Sequence, residues 1–228
     1  IGVRLVGSEM CIRDRLSPTK SIRHFLRSTR GFEIVEEEDE RTVLRCLLNP
    51  GDMPFHASLK RMYLLLSSLV RDLLEVFNGG DIEFLSDNEE RESEVDSLLH
   101  LVERQVRIVF ESYQAATKLN ITRGQSMEYA NLARCLERMM DHANNMTHFV
   151  VAHTNHINEL RISPPVSSLP LWQEALKELM INIRTQDSHR IETARHQLKT
   201  LQTELKAFES SVYELSLIHI SEPTRRTP

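Results

Sequence analysis

The segment Leu59-Lys-Arg-Met-Tyr-Leu-Leu-Leu-Ser-Ser-Leu-Val-Arg-Asp-Leu-Leu-Glu-Val-Phe77 carries the clearest structural pattern in the chain. Its apolar residues recur every three or four positions, which places them on one face of an α-helix. Asn78-Gly-Gly80 follows, and glycine here is typical of a helix C-terminus. The segment therefore predicts a long amphipathic helix that ends near Phe77 and needs partner helices to cover its apolar face.

Two more long helices are predicted by the same periodicity, one over about 81–118 and one over about 122–159. Their predicted apolar faces hold Val95, Leu98, Leu99, Val102, Val106, Val109 and Phe110, and Tyr129, Leu132, Leu136, Met139, Ala143, Met146, Phe149 and Val150. Because short turns join the three helices, we expect them to be antiparallel neighbours in one bundle. Residues 54–160 are thus predicted to form a complete three-helix repeat.

A second, truncated copy of this unit is predicted over residues 165–214. It follows Pro164-Pro165 and comprises one helix near 170–183 and another from about Ser188 onward. In both units the first helix starts at a proline, and a polar turn with an aspartate, Asp81 or Asp187, precedes the next helix. This recurrence indicates an internal repeat.

Residues 16–50 differ from the rest and are predicted to be the remnant of a small α/β domain. A short amphipathic helix at 21–28 precedes two predicted strands, which begin at Phe32 and Thr42 and flank an acidic turn at 36–40. A lone hairpin is marginal in water, so we expect it to belong to a larger unit. The predicted fold class is therefore mainly α, with a small α/β hairpin segment ahead of the helical repeats.

The two ends of the chain are related through their coding DNA. Leu5–Arg15 and Leu215–Arg225 can be encoded by complementary strands of one sequence, which resembles a transposon-end adapter used to prepare sequencing libraries. We therefore interpret residues 1–15 and 215–228 as translated adapter and exclude them from the reasoning on the fold. The remaining 199 residues are expected to be a fragment of a longer protein.

These 199 residues carry 23 basic and 30 acidic groups, a net charge of −7. Such a charge disfavours direct nucleic-acid binding by this part of the chain. No apolar run approaches the roughly 20 residues that span a bilayer, so membrane insertion is not expected. Cys46 and Cys135 stand alone without metal-binding spacing, which fits reduced, buried thiols in a cytoplasmic protein.

Two acidic pairs lie beside the apolar faces of the second and third helices. Glu92 and Asp96 form one pair, and Glu137 and Asp141 form the other. Each pair has i, i+4 spacing, which costs a helix a few tenths of a kcal/mol unless a positive charge compensates. On adjacent helices the pairs can converge into a site for a divalent or trivalent cation such as iron, manganese or magnesium.

Two alternatives to a metal-binding regulator remain open at this level. Arg91, Arg134 and Arg138 could balance the acidic pairs without any metal. A carboxylate-bridged dimetal enzyme would also use such carboxylates, but it requires E-x-x-H on two helices and the sequence has none. Neither a Gly-x-Ser-x-Gly motif nor a glycine-rich phosphate loop is present, so we predict that the protein is not an enzyme.

The stretch Leu132-Ala-Arg-Cys-Leu-Glu-Arg-Met-Met-Asp-His-Ala-Asn-Asn-Met146 resembles the LERIGDHAxNI signature of the PhoU phosphate-uptake regulators. Residues 92–96 fall where that family has its other acidic motif, and the resemblance covers about residues 54–214. It implies that the metal ligands are Glu92, Asp96, Glu137 and Asp141, with Glu89 and Asn145 as weaker candidates. The chain departs from the family at Met139-Met140, where small residues are usual.

The resemblance also implies a function. PhoU proteins are cytoplasmic regulators that restrain phosphate import by acting on the phosphate ABC transporter or on a sensor kinase, and a homodimer is a possible assembly. In the archaeal branch, a region similar to residues 16–50 often follows an AbrB-like DNA-binding domain. A DNA-linked transcriptional regulator whose DNA-binding domain is missing here is therefore the alternative function.

Overall fold

The computed structural model describes residues 2–6, 9–13, 22, 25–26, 31–38, 41–46, 54–153 and 163–221. Its strands are β1 (Gly2–Val6), β2 (Glu9–Arg13), β3 (Phe32–Glu38) and β4 (Arg41–Cys46). Its helices are α1 (Phe55–Phe77), α2 (Asn88–Glu111), α3 (Tyr113–Lys118), α4 (Arg123–Ala152), α5 (Leu169–Thr185) and α6 (Ser188–Ser221). The chain is mainly α with a small antiparallel sheet near its start, which confirms the predicted fold class.

The C-terminus of α1 is closed by the two glycines that follow it. Gly79 has a φ of +94°, a conformation that favours glycine. The Gly80 N–H donates to the Glu75 carbonyl at 2.9 Å, and the Gly79 N–H donates to the Val76 carbonyl at 3.0 Å. These are the two hydrogen bonds of a Schellman motif. The predicted helix end near Phe77 is confirmed.

The predicted second helix over about 81–118 is wrong at two points. Residues Ile82–Leu85 form a 3₁₀ turn, in which the Asp81 carboxylate accepts a hydrogen bond from the Glu83 N–H at 2.9 Å. Ser112 has extended backbone angles and separates α2 from α3, and its hydroxyl accepts from the Ala115 N–H at 3.2 Å. Short polar side chains bond to backbone groups and so compete with the hydrogen bonds of a helix. The spacing of apolar residues continues across these breaks and therefore does not predict them.

A capping box sets the start of α4. The Thr122 hydroxyl accepts from the Gln125 N–H at 3.1 Å, and the Gln125 side chain accepts from the Thr122 N–H at 3.0 Å. This confirms the predicted start near residue 122. The predicted end near 159 lies outside the described residues.

The apolar face predicted for α4 is shifted in the structure. Phe149 was expected inside but is 48% exposed, and on α2 Phe110 is 43% exposed. The prediction is confirmed for Leu136, Ala143 and Val150, and the buried residues of α4 are Ser126, Ala130, Ala133, Leu136, Met140, Ala143, Asn144, Thr147 and Val150. Most residues of this face are small, so a pattern based on large apolar residues identifies only part of it.

The described residues divide into two compact units. The first comprises Ile1–Leu69 with Leu85–His148, and here side-chain contacts join all three long helices. Arg61 of α1 pairs with Glu94 of α2 at 2.8 Å, and Arg134 of α4 pairs with Glu103 of α2 at 2.9 Å. Tyr129 of α4 stacks on Phe55 of α1. This is the predicted helical bundle.

The second unit comprises Val70–Phe84 with Phe149–Pro228 and contains α5 and α6. The two helices are joined by Gln186, which has a φ of +53°, and by Asp187, whose carboxylate accepts from the His189 and Arg190 N–H groups. Ala175 and Ala194 are buried, and such small side chains allow close helix contact. The domain boundaries and the second repeat stay predictions.

The sheet has the strand order β1-β2-β4-β3 and is antiparallel throughout. The acidic residues predicted as a turn at 36–40 belong mostly to β3, because Glu36, Glu37 and Glu38 pair with β4. The turn is therefore shorter than predicted. A register shift at Val35 lies between the two halves of this pairing.

The central strand β4 is covered on both faces, since Val43 and Leu44 are consecutive and both buried. The Arg104 guanidinium of α2 lies 4.5 Å from the centre of the Phe32 ring, which holds the hairpin against the bundle. Strands β1 and β2 fall within the residues interpreted as adapter, and that interpretation stays a prediction. The short helix predicted at 21–28 lies mostly outside the described residues.

Two further expectations from the sequence can be compared with the structure. Cys135 is exposed, so the prediction of a buried thiol is wrong for this residue. The reason is its place on the outer side of α4, next to exposed Arg134. Across the described part of the chain, every helix is too short or too polar to cross a membrane.

Substitution of Leu66 tests the core assigned to α1. Leu66 is completely buried, whereas Leu64 on the same helix is 47% exposed. We expect Leu66→Ala to lower the free energy of unfolding by about 2–5 kcal/mol, because the substitution removes buried surface and leaves a cavity. Urea denaturation followed by circular dichroism measures this loss. Leu64→Ala is the matched control with the same change in helix propensity, and an equal loss in both variants would contradict the assigned face.

Candidate functional site

Four acidic side chains, Glu92, Asp96, Glu137 and Asp141, form what we call the carboxylate cluster. The first two lie on α2 and the last two on α4, and all four are half-buried. The helices run antiparallel, since Asn144 contacts Glu92 near the start of α2 while the earlier Arg134 contacts Glu103 further along it. The structure therefore brings the predicted principal ligands to one interface between two helices.

The pKa values of three cluster residues are raised, in keeping with their proximity. Burial is the largest cause of a raised pKa at Glu92, Asp96 and Glu137. The charge of Asp141 raises all three values further, and the charge of Asp96 raises those of Glu92 and Glu137. Asp96 and Asp141 therefore disfavour ionisation of their neighbours, both across the helix interface and along one helix.

Positive groups offset these effects only in part. Arg138 lowers the pKa of Glu137, but its effect ranks below burial and below the charges of Asp141 and Asp96. Arg91 forms an ion pair with Asp87 at 2.8 Å, outside the cluster. Arg134 pairs with Glu103, also outside it. Two of the three arginines proposed as compensation thus pair with other carboxylates.

Two histidines add weaker compensation. His148 lowers the pKa of Glu92, and His100 lowers that of Asp96, although burial and neighbouring carboxylates outweigh both. Both imidazoles are exposed. The cluster therefore combines four acidic groups with a smaller and partly remote positive charge.

Two buried amides that the sequence reasoning missed are part of this interface. The Asn88 side-chain N–H donates to the Asn144 side-chain oxygen, and the Asn144 N–H donates to Oε2 of Glu92. We call this the asparagine chain. The helical spacing contained the signal, because Asn88 precedes Glu92 by one turn and Asn144 follows Asp141 by three residues.

The weaker ligand candidates lie at the edge of the cluster. Glu89 is exposed and its charge contributes to the raised pKa of Glu92, so it is close to the cluster. Asn145 is exposed, and its neighbour Asn144 is the asparagine that reaches α2. The structure thus associates Glu89 with the cluster more clearly than Asn145.

The donor set suits a hard cation in kind, since carboxylate oxygens are the ligands that magnesium, manganese and iron prefer. Within the described ranges, no three His, Cys, Asp or Glu side chains are arranged as a ready metal site. Cation binding would therefore require at least some of these half-buried side chains to turn toward a common point. The residue types and their positions on the helices therefore suit a metal ion. Their side-chain oxygens, however, are not arranged as a coordination shell.

The raised pKa values predict a pH dependence of stability. A carboxyl group whose pKa is higher in the folded state binds its proton more tightly there, so stability increases as the pH falls from the folded pKa toward the unfolded value of about 4.3 for glutamate. In metal-free protein we expect Glu137→Gln to be more stable than the parent at pH 7. This advantage should shrink by pH 5, as measured by urea denaturation.

The exposed Glu128 on the same helix provides the control. Glu128→Gln should follow the parent at both pH values, because it lies outside the cluster. A stability difference between the parent and Glu137→Gln that does not change with pH would contradict mutual repulsion at this interface.

The PhoU domain family matches residues 59–150. Comparisons with curated proteins and with solved structures gave no match. The matched residues include nearly all of α1 and α4, the whole of α2 and the complete carboxylate cluster. PhoU is a regulatory, non-enzymatic family with a general role in phosphate uptake. The chain therefore contains a PhoU domain at residues 59–150.

Proposed function

We propose that this protein regulates phosphate uptake and intracellular phosphate homeostasis as a cytoplasmic, metal-binding helical bundle. In this proposal it acts on the phosphate ABC transporter or on its sensor kinase by direct protein contact and catalyses no reaction. The PhoU domain at residues 59–150 supports the regulatory role. The net charge of −7 outside the two end segments also favours a protein partner over nucleic acid.

The observation that carries the proposal is the position of the carboxylate cluster. Four acidic residues from two helices share one half-buried interface inside the PhoU domain, and the pKa values of Glu92, Asp96 and Glu137 are raised there by burial and by neighbouring carboxylates. Such an arrangement destabilises the bundle unless a positive charge joins it. Natural proteins tolerate such local destabilisation at functional sites, and this supports a functional role for the cluster.

A divalent or trivalent cation, for which iron, manganese and magnesium are the candidates, would supply that charge. Glu92 and Asp96 would hold it from α2, and Glu137 and Asp141 would hold it from α4. Glu89 and Asn145 are further oxygen donors at the edge. Because the ligands come from two helices, binding would couple the metal to the packing of α2 against α4 and so to the shape of the bundle surface.

Removal of two ligands tests metal binding. We expect the double variant Glu137→Gln/Asp141→Asn to bind Mn²⁺ on the order of 100-fold more weakly than the parent, because affinity depends on the number of charged ligands. Equilibrium dialysis with elemental analysis measures the bound metal, and it can be repeated with Fe²⁺ without oxygen and with Mg²⁺.

The control exchanges two exposed acidic residues of the same helices, Glu90→Gln and Glu128→Gln. This variant removes the same formal charge but leaves the carboxylate cluster intact. Equal Mn²⁺ affinity in the parent, the control and the double variant would show that the cluster is not the metal site.

The regulatory role is tested by phosphate transport. In cells that lack their own PhoU gene, we expect the parent chain to lower the initial rate of radiolabelled phosphate uptake. Glu137→Gln/Asp141→Asn should restrain uptake less. Transporter transcript is measured alongside: a change in transcript with unchanged uptake per transporter would instead support the DNA-linked alternative, and no effect on either would contradict regulation by this chain.

A further inference from the structure

We infer that Asn144, oriented by Asn88, is a positioning residue that fixes the Glu92 carboxylate for cation binding. This inference rests on the proposed function, because it concerns the same carboxylate cluster. The asparagine chain crosses the interface twice, from Asn88 on α2 to Asn144 on α4 and back to Glu92 on α2. It therefore holds the two helices and the carboxylate in one geometry.

Burial makes these hydrogen bonds energetically costly to break. Asn88 is 8% exposed and Asn144 is 5% exposed, so neither amide can exchange its partner for bulk water at little cost. Glu92 is only half-buried and its carboxylate is the end of the chain that approaches the other acidic groups. The two buried asparagines are thus the fixed part of the asparagine chain. Glu92, which they orient, belongs to the carboxylate cluster.

The order of donors and acceptors makes the chain directional. An asparagine side chain has one acceptor oxygen and one NH₂ donor. Because the Asn144 oxygen accepts from Asn88, its NH₂ group faces Glu92. It can only donate there, so it engages Oε2 and holds that oxygen at the helix interface, which leaves Oε1 as the oxygen for a cation.

Hydrogen bonds of this kind tune metal sites. Groups that bond to a ligating side chain hold it in position, and their loss typically weakens metal binding about 10–100-fold. The PhoU signature leaves the position of Asn144 open, whereas Asn145 corresponds to its fixed asparagine. The asparagine chain is therefore a feature of this sequence rather than of the signature.

The test is a double-mutant cycle on the full chain with Mn²⁺ as the probe. We expect Asn144→Leu, which has a similar shape and no donor, to weaken Mn²⁺ binding about 10–100-fold. In a Glu92→Ala background the same substitution should change the affinity less than about threefold, because a residue that acts through Glu92 has nothing left to position. Asn131→Leu, an exposed asparagine of α4, should bind Mn²⁺ as the parent does.

Each outcome separates this inference from the proposed function. If Glu137→Gln/Asp141→Asn loses Mn²⁺ but Asn144→Leu binds it as the parent does, the positioning role is overturned and the metal site stands. Equal losses from Asn144→Leu with and without Glu92 would show a general packing effect and also overturn it. Absence of Mn²⁺ binding by the parent overturns both. If circular dichroism shows that Asn144→Leu does not fold, Asn88→Ala replaces it in the same cycle, with the same expected dependence on Glu92.

Discussion

The apolar faces of α1, α2 and α4 can leave water only by packing against one another, and the position of the carboxylate cluster depends on this packing. Each fully buried leucine contributes roughly 1.5–3 kcal/mol, and such residues recur along α1 and α2 and include Leu136 on α4. Once α2 and α4 are adjacent and antiparallel, the acidic residues that flank their apolar faces must meet. The hydrophobic effect thus assembles a group of like charges that would separate if the helices were independent.

The consequence is a local conflict between packing and electrostatics. Burial and neighbouring charges raise the pKa values of Glu92, Asp96 and Glu137, while Arg138 and two exposed histidines offset only part of this. Other acidic residues of these helices have arginine partners, as in the pairs of Arg61 with Glu94 and Arg134 with Glu103. In the carboxylate cluster the acidic groups outweigh the nearby positive charge, and a bound cation would offset this difference.

Polar side chains of modest size determine much of the remaining architecture. Thr122 and Gln125 start α4, Ser112 divides α2 from α3, and Asp187 starts α6. In each case the side chain satisfies backbone N–H groups that a helix end would leave without partners. Asn88 and Asn144 extend the same chemistry from helix ends to the helix interface, where their amides satisfy each other and one carboxylate.

The sequence by itself determined the helical class, the end of α1 at Asn78-Gly-Gly80, the start of α4 and the identity of the acidic pairs. These features follow from periodicity of 3.6 residues and from side chains that act within one turn, so they are local. It did not determine the break at Ser112, because apolar spacing continues across it, nor the full buried face of α4, where small residues are buried beside Leu136 and Met140.

Only the tertiary structure decided which residues meet across helices. The asparagine chain joins positions 56 residues apart, and the cation–π contact of Arg104 with Phe32 joins two elements that no short-range pattern connects. Such contacts depend on the rotation and register of packed helices, which change with the volume of every side chain in the interface. For that physical reason the sequence could name the acidic residues of the candidate site, whereas the hydrogen bond from Asn144 to Glu92 appeared only when α2 and α4 were placed side by side.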